Sequence, residues 1–326
     1  MKNDFLLSVI IPVFNEEKVL PELRRRLEAV REALPCRSEM IFVDDGGKDG
    51  SLQYLLDWAK AEPSVKVLSF TRNFGHQIAL TAGLEVCSGD AAVTMDADLQ
   101  DPPELLPRML EEHRRGFDVV LAKRNKREGE GLLKRGCAYV FYRFLKMVTP
   151  EELPEDCGDF RLVSRSVLNV LLAMRERHRY LRGMVAWLGF RQSVVSFDRS
   201  PRFAGETHYS LRKMLQLAWD ATISFSTIPL QLSIYAGFAF ACFGVAYGLY
   251  ALYSAYVLHT VVKGWTSLAG LICVLGGGTM VCVGIIGTYI AKIYEELKSR
   301  PLYVTGITAN ITQEKMVQAS GAKSCS

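Results

Sequence analysis

Asp96, Asp98 and Gln100 stand at alternate positions in the stretch AAVTMDADLQDPP, residues 91–103. On an extended backbone, residues i and i+2 project to one face, so both carboxylates can reach a single ion. Hard oxygen ligands in a small, open set suit Mg²⁺ or Mn²⁺, which keeps positions free for water and substrate phosphates. Pro102 and Pro103 stop further strand pairing and let a helix begin at Pro103 and Glu104. Aspartates also gather at ordinary turns, so the surroundings of the triplet decide what it means.

The surroundings are a series of apolar runs that end in polar residues. Residues 6–14, 40–43, 65–70, 91–95 and 117–122 read as buried strands, and residues 16–34, 51–61 and 77–86 read as helices. Along 16–34, Val19, Leu20, Leu23, Leu27, Val30 and Leu34 form one apolar stripe. Strands alternating with helices over short connections predict an α/β fold with a mostly parallel sheet covered on both faces. The strands run out at Asn15 and Glu16, Asp44 and Asp45, Arg72 and Asn73, Asp96 and Asp98, and a basic loop, 123–127, that holds Arg124. In open α/β sheets that edge is where ligands bind. The first turn reads PVFNEE, with no glycine-rich dinucleotide fingerprint, and no P-loop occurs. The sheet is therefore expected to hold a nucleotide through side chains and a metal.

The chain has 326 residues, enough for two domains, of which 49% are hydrophobic and 23% charged. Residues 229–258 and 266–291 carry no Asp, Glu, Lys or Arg. Each run exceeds the ~20 residues that cross a hydrocarbon core. A net charge of +4 without a basic tract argues against a nucleic-acid partner. The cysteines at 36, 87, 137, 157, 242, 273, 282 and 325 form no C-x-x-C pair, which excludes the usual zinc and disulfide patterns and fits a reducing cytosol. Asp4 precedes the first apolar run and Pro12, Asn15 and Glu16 cut it short, so the N-terminus is not read as a signal peptide.

Residues 211–226 alternate apolar and charged faces around Trp219 and are expected to lie in the bilayer interface. Gly270, Gly276, Gly277, Gly278, Gly284 and Gly287 let the second apolar run approach its partner helix, or a neighbouring subunit in a homo-oligomer. Lys292, Lys298 and Arg300 follow the second run and Arg212 and Lys213 precede the first, whereas Lys263 alone lies between them. Positive-inside bias then places both ends in the cytosol. The expected organisation is a cytosolic catalytic domain at 1–209, an interfacial helix at 210–227, two transmembrane helices within 228–292 (about 228–258 and 266–291) and a cytosolic tail at 293–326. Residues 301–312 of that tail are expected to include a short strand.

PVFNEE (12–17), VDDGGKDGS (43–51), RNFGH (72–76) and DADLQDPPE (96–104) resemble the inverting GT-A glycosyltransferases of family 2. CGDFRLVSR (157–165) and RFAGETHYS (202–210) resemble its subgroup that loads a sugar onto polyprenyl phosphate. That subgroup includes dolichyl-phosphate mannose synthase, undecaprenyl-phosphate glucosyltransferases and the aminoarabinose transferase of lipid A modification. The resemblance covers nearly the whole chain, since the bacterial members also end in two membrane helices. Gly47 stands where the family usually has serine, and His208 where lysine is more frequent.

The resemblance implies metal-dependent transfer of a sugar from a UDP-sugar to undecaprenyl phosphate at the bacterial inner membrane, for envelope polysaccharide or lipid A modification. Glucose is the first expectation, with glucosamine derivatives, mannose and aminoarabinose left open. Pro12, Glu16, Asp44 and Asp45 would surround the nucleoside, and Asp96 and Asp98, with Gln100, would hold Mg²⁺ or Mn²⁺ against the diphosphate. Arg124, Lys134, Arg135 and Arg202 would carry phosphate, with Gly205 allowing close backbone approach. Asp159, or second Asp156, would be the catalytic carboxylate, placed just before a strand at 160–163. One rival is a processive polysaccharide synthase, but Trp187 follows Met184, Val185 and Ala186 with no Q-x-x-R-W motif. Another is a silent membrane scaffold, against which the intact Asp96, Asp98 and Gln100 weigh.

Overall fold

The computed structural model describes residues 3–124, 157–174, 176–177, 179–198, 228–257 and 264–312. The described residues up to 198, together with 300–312, form one unit, and 228–257 with 264–299 form the other.

The first unit is built on an eight-stranded sheet of order β7-β5-β6-β4-β1-β2-β3-β8. Its strands are β1 (Asn3–Val13), β2 (Cys36–Asp44), β3 (Val65–Phe70), β4 (Ala91–Thr94), β5 (Val119–Arg124), β6 (Cys157–Ser164), β7 (Gln192–Phe197) and β8 (Thr305–Ala309). Neighbours β4, β1, β2 and β3 pair in parallel, as do β5 and β7. β6 runs antiparallel to both β4 and β5, and β8 antiparallel to β3. This is the mostly parallel, two-sided sheet that the apolar runs predict.

Alternation along each strand divides the core between the two faces. Leu7, Val9 and Ile11 of β1 pack with Leu23 and Leu27 of α1 (Leu20–Ala33), Trp58 of α2 (Ser51–Ala61) and Met109 of α4 (Leu106–Arg114). Ile10 of β1 faces the other side, with Leu80 and Leu84 of α3 (His76–Val86), Leu168 of α5 (Arg165–Ala173) and Met184 of α6 (Leu181–Trp187).

Several boundaries differ from expectation. The first helix starts at Leu20, not at residue 16, because the Glu16 carbonyl accepts the Val19 and Leu20 N–H groups in a preceding turn. A 3-10 turn, Pro103–Leu105, stands between the double proline and α4. β5 continues to Arg124, which is therefore a strand residue and not part of a loop.

The second unit contains α7 (Ile228–Tyr256) and α8 (Trp265–Leu297). Leu230–Tyr250 and Val274–Leu297 are long and apolar enough to cross a membrane, with a mean hydropathy of 1.7 each and 6% and 0% of those stretches buried. Exposed side chains such as Phe238 and Met280 would be costly in water and suit an apolar surround. Between the helices, Gly278 meets the Phe240 ring, where an added Cβ would come within 2.6 Å of it.

Candidate active site

The residues following β2 form the first wall. Asp44 is buried, its Oδ1 accepting the Gly47 N–H at 3.1 Å and its Oδ2 the Ser69 hydroxyl at 2.7 Å. Asp45 accepts the Phe74 N–H at 2.7 Å and the Gly75 N–H at 3.0 Å, stapling the β2–α2 loop to the β3–α3 loop. Burial pushes its carboxyl up, and those N–H donors oppose the rise. Gly46 has φ +68°, and a Cβ there would lie 2.4 Å from the Arg72 carbonyl carbon, so the two loops touch through a residue with no side chain. At Gly47, a Cβ would stand 3.0 Å from Asp44 Oδ1 and 3.3 Å from Asn15 Oδ1, so a side chain there would need both to give by a few tenths of an ångström. Pro12 is buried in β1 beside Val43. Half-buried Glu16 donates its N–H to Ser51 Oγ at 2.9 Å.

The DADLQD turn forms the second wall. β4 ends at Thr94, so Asp96 and Asp98 project from a turn and not from the extended backbone that their spacing suggested. Leu99 takes φ +61°, a left-handed conformation that is unfavourable for leucine and is held by burial of its side chain. Asp98 Oδ1 accepts the Gln100 N–H at 3.1 Å, and Asp101 Oδ2 accepts the Asp96 N–H at 3.3 Å.

Asp96 Oδ1 is screened from solvent and makes no hydrogen bond, with His76 Nε2 3.5 Å away. Burial raises the Asp96 carboxyl, His76 opposes, and Asp98 and Asp159 add to the rise. A carboxylate oxygen that accepts no hydrogen bond and stands beside further carboxylates fits a divalent cation. Among the described residues no cluster of three or more His, Cys, Asp or Glu forms a metal cage. Among the described residues a Mg²⁺- or Mn²⁺-type site would rest on Asp96 and Asp98, with positions open to phosphate and water.

Asp101, which the motif pattern did not single out, is fully buried, and its carboxyl is pushed up to about 7 by burial and by Asp96, against Arg124. Arg124 Nη2 reaches Asp101 Oδ1 at 3.4 Å, and its guanidinium lies over Gly158, where a Cβ would be 3.2 Å from Nη2.

Asp159 lies inside β6, not before it, since that strand starts at Cys157. Its backbone carbonyl accepts the Thr94 hydroxyl across β4. Its side chain is 6% exposed and engaged on both oxygens. Arg182 donates to it twice, Nε to Oδ1 and Nη2 to Oδ2, both at 2.9 Å. Arg161 Nη2 adds a contact to Oδ1 at 3.3 Å, while Gln77 Nε2 at 3.1 Å and His76 Nε2 at 3.4 Å reach Oδ2. Burial pushes this carboxyl up, but His76, Arg182 and Arg161 together hold it far below the usual carboxylate range. The His76 ring is held above its ordinary value: burial lowers it, and Asp159 and Asp96 more than compensate.

The structure thus gathers Asp96, Asp98, Gln100 and Asp159 with Arg124, and adds His76, Gln77, Asp101, Arg161 and Arg182. His76 closes the RNFGH motif, and Asp101 follows Gln100 directly, so both had a local signal. Arg182 had none. Lys134, Arg135, Asp156, Arg202, Gly205, His208 and the interfacial stretch 210–227 lie outside the described residues.

Residues 8–172 match the family described as Glycosyl transferase family 2. The chain is 41% identical to the glycosyltransferase YkcC of Bacillus subtilis (strain 168), over 97% of this chain and 98% of that one. It is 38% identical to the SfII prophage-derived bactoprenol glucosyl transferase of Shigella flexneri, over 91% of this chain and 96% of that one. Among solved structures it is similar to S. aureus TarS 1-349 in complex with UDP-GlcNAc, at 20% identity and a TM-score of 0.47, over 67% of this chain and 65% of that one.

Proposed function

Because the chain belongs to glycosyl transferase family 2, we propose that it is an inverting polyprenyl-phosphate glycosyltransferase, moving glucose from UDP-glucose to undecaprenyl phosphate at the cytosolic face of a bacterial inner membrane. The observation that carries this reading is the near full-length match to a bactoprenol glucosyl transferase, which includes the two apolar helices.

In the reaction an oxygen of the lipid phosphate attacks the sugar C1. The bond from C1 to the β-phosphate oxygen breaks, UDP leaves and the anomeric configuration inverts. Pro12, Glu16, Asp44 and Asp45 shape the nucleoside side of the site. Asp96 and Asp98, with Gln100, would hold a divalent ion, which when bound would supply Lewis-acid stabilisation of the leaving diphosphate. The acceptor is already an anion near neutral pH, so no strong base is required. Asp159, ionised and with both oxygens engaged by donors, suits a fixed negative charge toward an oxocarbenium-like C1 better than a proton acceptor. Asp156 is the second choice for that role. Arg124, Lys134, Arg135 and Arg202 offset the repulsion between the lipid phosphate and the diphosphate, and Gly205 gives the backbone room to approach.

The membrane arrangement has its own support. β8 is a strand of the catalytic sheet although it follows both apolar helices in sequence. Two crossings return the chain to the side it left, which agrees with the positive-inside bias toward the cytosol.

Transfer by purified membranes, given undecaprenyl phosphate and a panel of radiolabelled UDP- and GDP-sugars, tests the donor. UDP-glucose is expected to label the lipid fraction. Labelling from a GDP-sugar alone would overturn the donor assignment, and no lipid labelling from any donor would overturn the acceptor assignment.

A further inference from the structure

Asp159 does not choose its own direction. Its backbone is set by β6, but both side-chain oxygens are gripped from α6 and from the start of α3. Arg182, on α6, meets it with Nε and Nη2, a two-pronged fork that fixes the plane of the carboxylate as well as its position. Gln77 ties the two helices to the same point: its Nε2 donates to Asp159 Oδ2 at 3.1 Å, and its Oε1 accepts the Leu181 N–H, next to Arg182, at 3.1 Å. Arg161 is engaged differently. Its shorter bond, 2.9 Å, goes to the Gly158 carbonyl, and its contact with Asp159 is single and longer. Arg161 therefore belongs mainly to the strand backbone, and Arg182 to the carboxylate. The Arg182 side chain is 36% exposed, whereas Asp159 is 6% exposed, so the fork forms part of the wall around a buried acid.

We propose that Arg182 is a positioning residue for the transfer reaction, acting through Asp159 by holding its carboxylate in one plane and one orientation. The proposal rests on Asp159 being the catalytic carboxylate. An unpaired aspartate at this depth would either take up a proton or turn toward another donor. In both cases its charge would leave the direction in which the reaction uses it. Misplacement of a reacting group by about 1 Å costs on the order of 100-fold in rate. Arg182 also gives α6 a task that its short length and apolar sequence do not suggest.

A double-mutant cycle on the full-length protein tests this, with D159N, R182Q, R182K and D159N/R182Q assayed on UDP-glucose and undecaprenyl phosphate. UDP affinity and thermal melting report whether each variant is folded. D159N and R182Q are each expected to lower kcat about 100-fold, with the KM for UDP-glucose changed less than about threefold. R182K is expected to recover only part of the loss, because an ammonium cannot form the fork. The decisive expectation is that D159N/R182Q is no worse than D159N alone. Losses that multiply in the double variant, to about 10⁴-fold, would overturn the proposal and leave Asp159 in place, since Arg182 would then act on its own. Full activity in D159N would instead overturn the assignment of Asp159, and the proposal with it. If R182Q does not bind UDP, R182K decides: wild-type kcat there would overturn the proposal, and a lowered kcat with normal UDP affinity would support it.

Discussion

Replacing Asp98 by asparagine removes an anionic oxygen from the turn that also carries the Asp96 oxygen with no hydrogen-bond donor, and changes little else in volume. Asp98→Asn is therefore expected to abolish transfer while the protein still folds and inserts, and excess EDTA is expected to do the same to the unaltered protein. Full activity in either experiment would remove the metal from the account. Glu39 makes a second, separate prediction. It is buried, and it accepts from Ser8 Oγ, Lys66 Nζ and the Ser88 N–H, each at 2.6 Å. Burial pushes its carboxyl up, but the Lys66 ammonium and the other donors outweigh this and hold it below its ordinary 4.5. Such a group stabilises the fold fully above 4.5 and loses that contribution as pH falls toward its lower folded value. Melting temperature measured from neutral to acid pH should fall in that window, and Glu39→Gln should flatten the fall. An unchanged slope would contradict the assignment. Residues at this scale were legible when their partners were near in sequence. Asp96, Asp98 and Gln100 stand out together in the sequence, although on a turn and not on the extended backbone their spacing suggested, whereas the fork on Asp159 comes from a residue 23 positions away. No local pattern marks such a pairing.

At the scale of elements, β8 is the piece that ties the chain end to the catalytic sheet. Tyr303 donates its hydroxyl to Glu85 at 2.7 Å and stacks on Phe70 with ring centroids 4.8 Å apart. Thr71, in the loop that leads to His76, donates its N–H to the Val304 carbonyl at 3.1 Å. Asn310 closes the strand in a left-handed conformation that asparagine tolerates, φ 58°. Its Nδ2 reaches the Ala59 and Val65 carbonyls at 2.7 and 2.8 Å. Asn310→Ala removes both bonds and puts alanine where φ is unfavourable. It is expected to cost about 1–3 kcal/mol, read as a lower melting temperature with faster amide exchange in β3 and β8. Wild-type exchange in those strands would show that the clamp is dispensable. The main strands and helices of the sheet could be read from apolar runs because burial on both faces imposes them. The alternating residues of the tail suggested a strand, but not its partner. Edge pairing across more than two hundred residues depends on where the helices between them return the chain, and that information is not local. The same holds for β6, which pairs antiparallel with both β4 and β5 although β4 lies about seventy residues earlier.

For the molecule as a whole, the proposed arrangement has both apolar helices crossing the membrane, and a sheet strand that follows them in sequence then puts the sheet and β8 on one side. A reporter fused after Ser326 is expected to behave as cytosolic and one inserted near Lys263 as periplasmic, and the reverse pattern would refute the orientation. The two apolar helices were evident from their uncharged runs, because a bilayer demands an unbroken stretch whatever the rest of the fold does. The family motifs supplied an expectation for the nucleotide end of the site, and the structure gives the geometry of Asp44 and Asp45 there. The acceptor end depends on Lys134, Arg135, Arg202 and Gly205, for which the sequence supplies residue types but no mutual geometry. The central claim is that one hexosyl group passes to a lipid phosphate, and product analysis tests it most directly. Purified protein reconstituted in bilayers would be given UDP-[14C]glucose with and without undecaprenyl phosphate, and both the labelled product and the released nucleotide identified. The account predicts label in an acid-labile lipid monophosphate only when the acceptor is present, with one UDP released per sugar transferred. Label in an insoluble polymer, release of UMP in place of UDP, or UDP release with no labelled lipid would contradict it.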